Sequence, residues 1–149
     1  MTEQRTRIET HVHSHPGVHF NQLVRSLDLA PGQVQYHVRR LLRNENLVSE
    51  QLYGRTHYYP THYDEWERGA IALLHRETAR DVVIRLMANG PTRPADMADS
   101  LDIARSTLEW HLGHLVEHDI VEKRYGAYNR VTVELCRPDR PADLLHRFF

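Results

Sequence analysis

The residues best equipped for chemistry in this sequence are arginines. Of its nineteen Lys+Arg residues only Lys123 is lysine. Three of them, Arg39, Arg40 and Arg43, follow closely on Gln33, Gln35, Tyr36 and His37. At roughly 100° per residue, with the apolar Val34 facing inward, Gln33, Tyr36, Arg39, Arg40 and Arg43 fall on the far side of a helix. Gln35 adjoins that side, and His37 sits laterally. Planar guanidinium forks match phosphate oxygens and guanine edges, and a glutamine amide can read a base edge, so the pattern suits a helix lying in the major groove of duplex DNA. Arg55 and His57, a short distance downstream, are placed to reach the flanking minor groove or backbone.

Histidine is the second unusual residue, with twelve copies. His11, His13 and His15 form one run, and His111, His114 and His118 follow a helical spacing that puts three imidazoles near one side. A closed metal site generally recruits Cys or carboxylate ligands and a supporting outer shell. The sequence has one cysteine, Cys136, so no thiolate site and no disulfide framework is expected. The histidines are expected to be surface and capping residues, with neither metal nor cofactor; sensing of pH below about 6.5 is a weaker alternative. No glycine-rich phosphate loop, nucleophile elbow or HExxH occurs, so no enzyme is expected.

The 149 residues are 40% hydrophobic and 26% charged, enough to bury a core in one domain or two very small ones. No apolar run reaches the roughly 18 residues of a membrane span, and Met1–Arg7 leads into no secretory apolar stretch, which points to a cytoplasmic protein without membrane contact. The formal net charge of −1 conceals an imbalance. Residues 1–60 carry seven arginines against five acids, and residues 61–149 carry twelve basic residues against fifteen acids.

An internal repeat organises the chain. At an offset of 74, Ser26-Leu27-Asp28-Leu29-Ala30 falls on Ser100-Leu101-Asp102-Ile103-Ala104. Val34, Tyr36, His37, Val38 and Leu41 then fall on Leu108, Trp110, His111, Leu112 and Leu115. Leu47-Val48 meets Ile120-Val121 once one residue is allowed for. Each copy predicts three helices, near 3–13, 21–26 and 31–44 and near 78–89, 94–100 and 105–118, and then a β-hairpin turning at Tyr53-Gly54 or Tyr125-Gly126. Three helices and a hairpin make a winged helix-turn-helix. The expected fold is therefore mainly α with small β-hairpin wings: a first unit over 1–60, a helical connector over 61–77, a second unit over 78–136 and an apolar helix over 137–149. The last helix, with Leu144, Leu145, Phe148 and Phe149, either closes the second core or buries against a partner subunit.

The first unit, with His15-Pro16-Gly17-Val18-His19-Phe20-Asn21 and then Gly32-Gln33-Val34-Gln35-Tyr36-His37-Val38 and Leu41, resembles the NPGxHFxEL…GxxxYHLxxL pattern of archaeal winged-helix regulators. The second, Ser106-Thr107-Leu108-Glu109-Trp110-His111-Leu112 to Leu115 and Ile120-Val121, is similar to the STxxxHLxxLxxxGLV signature of ArsR- and MarR-like repressors. The whole resembles a tandem winged-helix transcriptional regulator of the haloarchaeal kind. The resemblance implies a DNA-binding role and a dimer. Asn46 and Asp119 stand where such families often have glycine, and both tolerate left-handed backbone.

The second recognition helix differs from the first. Its outer positions are Thr107, Trp110, Gly113, His114 and Glu117, so the three arginines are gone. The second unit is expected to serve mainly in dimerisation or scaffold packing, with Arg105, Lys123, Arg124 and Arg130 left to hold the DNA backbone. Trp110 is either an interface anchor or a cover for the connector helix, and Trp66 is a further interface candidate. The expected function is a sequence-specific regulator of double-stranded DNA acting as a homodimer. The alternative is a winged-helix adaptor that binds proteins of the transcription or replication machinery.

Overall fold

The computed structural model describes residues 2–149. Two compact units make up the chain: one runs to Arg68 and includes Phe148, and the other spans Gly69–Arg147 with Phe149. The first contains α1 (Glu3–Ser14), β1 (Val18–His19), α2 (Phe20–Leu27), α3 (Pro31–Arg43), β2 (Leu47–Leu52) and β3 (Arg55–Pro60). Helix α4 (Glu65–Leu74) begins there, and its residues from Gly69 belong to the second unit. That unit continues with α5 (Glu77–Asn89), α6 (Pro94–Leu101), α7 (Arg105–Glu117), β4 (Val121–Tyr125), a short 3-10 turn, β5 (Val131–Leu135) and α8 (Asp139–Phe148). The chain is thus a tandem pair of winged helix-turn-helix units, mainly α with small antiparallel wings. Among the described residues no helix is long and apolar enough to cross a membrane.

The offset of 74 governs the two cores without a gap. Ile8, Val12, Leu23, Val34, Val38, Leu41 and Leu47 are buried in the first unit, and Val82, Leu86, Met97, Leu108, Leu112, Leu115 and Val121 occupy the equivalent places in the second. Leu47 opens β2 and Val121 opens β4, so the one-residue shift expected at this point is not needed. The two recognition helices start alike. Pro31 takes the first turn of α3, where its missing N–H is no loss.

Left-handed backbone recurs in the same register. Asp28 and Asp102 end α2 and α6 at φ 51° and 53°, where a short acidic side chain is tolerated far better than a branched one. Glu45 and Asp119 follow at φ 59° and 57°. In the first unit the left-handed residue before the wing is therefore Glu45, not Asn46 as expected. At the wing tip Tyr53 and Gly54 both have positive φ, as the two central residues of a tight hairpin turn require.

The first sheet has three strands in the order β1-β3-β2. Strand β1, absent from the sequence reading, pairs Val18 with Tyr58 and His19 with His57. In the second unit the equivalent of Val18 is Thr92, which forms a single bridge to Val133 beside the two-stranded β4-β5 sheet. Leu144 is buried within its own chain. It is therefore unavailable to a partner subunit, contrary to its expected interface role, and of the two alternatives for the tail this residue takes the closing one. Leu145 and Phe148 are half-buried, and Phe149 is exposed but packs edge-on against His75, with Arg80 over its ring.

Inside α4, a Cβ on Gly69 would lie 2.6 Å from Nδ1 of His118. An ordinary helical Gly→Ala change stabilises by about 1 kcal/mol. Here Gly69→Ala is expected to destabilise instead, by about 1–3 kcal/mol, because the imidazole must leave its place. The second substitution His118→Ala should restore the usual helical gain, and denaturant titration of the single and double variants measures it.

Candidate nucleic-acid interface

The first recognition helix buries Val34, His37, Val38 and Leu41 and exposes Gln35, Tyr36, Arg39, Arg40 and Arg43. Gln33 is exposed too, but its side-chain oxygen accepts the backbone N–H of Ala30 at 3.3 Å and so caps the helix. On one side, Gln35 and Arg39 open onto a cleft of about 900 Å³ that runs between the start of α2, α3 and the first wing. Arg25 from α2 and Arg55 from β3 line the same cleft, with Asn21 and His19, and no carboxylate does. Arg55 donates to Nε2 of His19 at 3.4 Å, which holds the guanidinium over the cleft.

The other side of α3 is a cation–aromatic cluster. The guanidinium carbons of Arg5 and Arg40 each lie 5.9 Å from the centre of the Tyr36 ring. Nε of Arg5 also donates to Nδ1 of His37 at 3.3 Å. Arg5 belongs to α1, so α3 is flanked by arginines from three other elements, α1, α2 and β3.

Two expected DNA contacts are not on the surface. His37 is 8% exposed and His57 is 4% exposed. Nδ1 of His57 lies 2.6 Å from the carbonyl of Gly17 and donates to it, which pins the loop before β1 onto β3. His37 accepts from Arg5, and burial, followed by the charges of Arg5 and Arg40, pushes its pKa below the ordinary 6.5. Both rings are thus largely covered, unlike the exposed position expected of them.

In the second unit most of the cations on α7 and its wing are already engaged. Glu109 stands where the first unit has Gln35, and it takes Lys123 at 2.8 Å and Arg105 at 3.4 Å. The Lys123 hydrogen bond above all holds the Glu109 carboxyl below the usual carboxylate range. Arg124 pairs with Glu122 at 3.0 Å and with Glu134. Of the four cations expected to hold backbone there, only Arg130 makes no ion pair among the described residues. By contrast, among the described residues Arg25, Arg39, Arg40, Arg43 and Arg55 of the first unit make none.

Trp110 is half exposed, with Arg76 5.3 Å from its ring centre and the rings of His111 and His114 edge-on to it. Trp66 is half-buried. Nδ1 of His111 is buried without a hydrogen-bond partner, because the counterpart of Arg5 is Ala79. The histidine runs disperse into ring contacts: His11 stacks on His15 at 4.3 Å, and His114 lies 3.8 Å from Glu117. Among the described residues no three His, Cys, Asp or Glu side chains are grouped to hold a metal.

Sequence reasoning missed Arg5, Asn21 and Arg25. The repeat held the signal, since these positions become Ala79, Ala95 and Asp99 in the second copy. It also missed Tyr125 and Tyr128 at the second wing tip, where Tyr128 is 93% exposed on left-handed backbone.

Comparison with known proteins agrees with the fold. Residues 2–71 match the family described as the HVO_0163-type N-terminal HTH domain. The first unit is a helix-turn-helix domain. Residues 68–133 match the HVO_A0261 N-terminal domain, so the tandem arrangement is reflected in two separate families. No curated protein matches the chain. Among solved structures, the mRNA-binding domain of elongation factor SelB from E. coli, in complex with SECIS RNA, aligns at a TM-score of 0.33 and 16% identity, over 91% of this chain and 98% of that one. A conserved hypothetical protein from Chlorobium tepidum aligns at 0.36 and 15%, over 98% and 99%.

The lowered pKa of His37, shared in direction by His11 and His111, fixes a pH dependence. A histidine that titrates lower when folded binds its proton more readily when unfolded, so its contribution is fully present above pH 6.5 and is lost as pH falls toward the folded value. Thermal melts from pH 8 to pH 5 should therefore show stability falling below about 6.5. His37→Gln, which can still accept from Arg5, should flatten that fall.

Proposed function

We propose that the chain is a sequence-specific, double-stranded-DNA-binding transcriptional regulator without catalytic activity, working in the cytoplasm. Helix α3 of the first unit enters the major groove, with Gln35 and Arg39 facing base edges and Arg40 and Arg43 facing phosphates. Arg25 and Arg55 follow the backbone along the cleft walls. The second unit, of ArsR- or MarR-like kinship, contributes mainly dimerisation, and a second copy presents another α3 about 34 Å away for a pseudo-palindromic site.

The observation that carries this is the contrast in ion pairing. Among the described residues the arginines around α3 have no carboxylate partner, whereas Arg105, Lys123 and Arg124, the cations on and beside α7, are neutralised. Phosphate contacts release counterions, so an unpaired cation gains affinity for a duplex that a paired one must first give up. A protein-interaction adaptor is the second reading, favoured by the exposed Trp110 and the neutralised surface of the second unit.

Salt separates the two. A regulator's duplex affinity falls steeply with salt, and an adaptor binds duplex weakly at any salt. Arg39→Ala and Arg40→Ala should each cost about tenfold or more in operator affinity, and each lost phosphate contact should lower the slope of log K against log salt by about 0.9. Arg105→Ala with His114→Ala should leave binding nearly intact; equal losses in the two units would refute the division of labour.

Glu109→Gln copies the first unit's residue into the second. It should free Arg105 and Lys123 and raise non-specific duplex affinity, with a steeper salt slope. Fluorescence anisotropy on a random-sequence duplex reads this directly.

A further inference from the structure

Because the two units share a fold, each exposed position has a counterpart, and a change of residue type between them marks a change of surroundings. On α1 the outward positions Thr10 and His13 are polar and exposed. Their counterparts on α5 are Ile84 and Met87, 47% and 42% exposed. They lie three residues apart, on one face of the helix. Solvent alone does not ask for two large apolar side chains where the sister helix keeps polar ones.

The same face carries Asp81 and, one turn later, Arg85. Neither makes an ion pair among the described residues. An acid and a base one turn apart are complementary to themselves when two copies of the helix meet antiparallel. A two-fold axis at the level of Val83 sets Asp81 of each copy against Arg85 of the other, with the two Ile84 side chains beside the axis. A closed two-fold contact of this kind uses one patch twice.

We propose that α5 is a homodimer contact through which two copies of this chain pair antiparallel along the face of Asp81, Ile84, Arg85 and Met87. It supplies the second copy that the DNA-binding reading calls for, yet it is tested without DNA. One helix face is small for an interface, so the association belongs at the weak, concentration-dependent end of the range.

Sedimentation equilibrium of the full chain over a wide concentration range tests it. The mass is expected to rise from one chain to two. Ile84→Glu and Asp81→Arg should each hold the mass at one chain with an unchanged far-UV circular dichroism spectrum. The double swap Asp81→Arg with Arg85→Asp should restore the dimer. A wild-type chain that stays single at every concentration, or a dimer indifferent to Ile84→Glu, overturns the contact, and failure of the double swap to restore association overturns the pairing. Duplex binding measured separately leaves these outcomes unaffected, so loss of the DNA reading and loss of the α5 contact are told apart.

Discussion

A guanidinium that already holds a carboxylate has little left for a phosphate. That competition decides what each half of this chain can do, because the two halves present the same helix in the same setting. At one position the first has Gln35 and the second Glu109, and the acid draws in Arg105 and Lys123. Exposed pairs of this sort add little to stability, roughly 0–1 kcal/mol. Their weight falls on the surface instead, which they turn from cationic to neutral. With Arg39 replaced by Gly113 and Arg43 by Glu117, the second face loses its charge, and with it its long-range attraction for a polyanion.

Packing explains why the surfaces could diverge so far. Seven buried pairs at one constant offset define both cores, and cores of this size tolerate changes such as Ile8 to Val82 or Leu23 to Met97 if volume is nearly kept. Outward positions face no such constraint. Arg5 shows the boundary between the two regimes, since it reaches from the surface to the buried His37. Its replacement by Ala79 leaves Nδ1 of His111 without a partner.

Much of the fold was legible in the sequence, and for physical reasons. The stripes Val34-Val38-Leu41 and Leu108-Leu112-Leu115 follow the helical period, Pro31 and Pro94 mark helix starts, and Tyr53-Gly54 marks the wing turn. Strand β1 was not legible, because two residues carry no periodicity and are made a strand only by Tyr58 and His57 across the sheet. The interior positions of His37 and His57 were hidden for the same reason: their partners, Arg5 and the Gly17 carbonyl, are 32 and 40 residues away. Leu144 looked like a subunit contact because the apolar run Leu144-Leu145 says that burial occurs, not against what. At the candidate interface, arginine spacing alone singled out α3. Arg55 was picked out as a wing residue, but Arg25 was not, since it joins Arg39 only through tertiary packing.

The left-handed residues carry a consequence for both halves. Asp28 with Asp102, and Glu45 with Asp119, repeat an uncommon backbone choice at matching places with acids where glycine would be the easier solution. The two halves thus solve the same steric demand in the same way, and their opposed surface chemistries sit on one repeated scaffold.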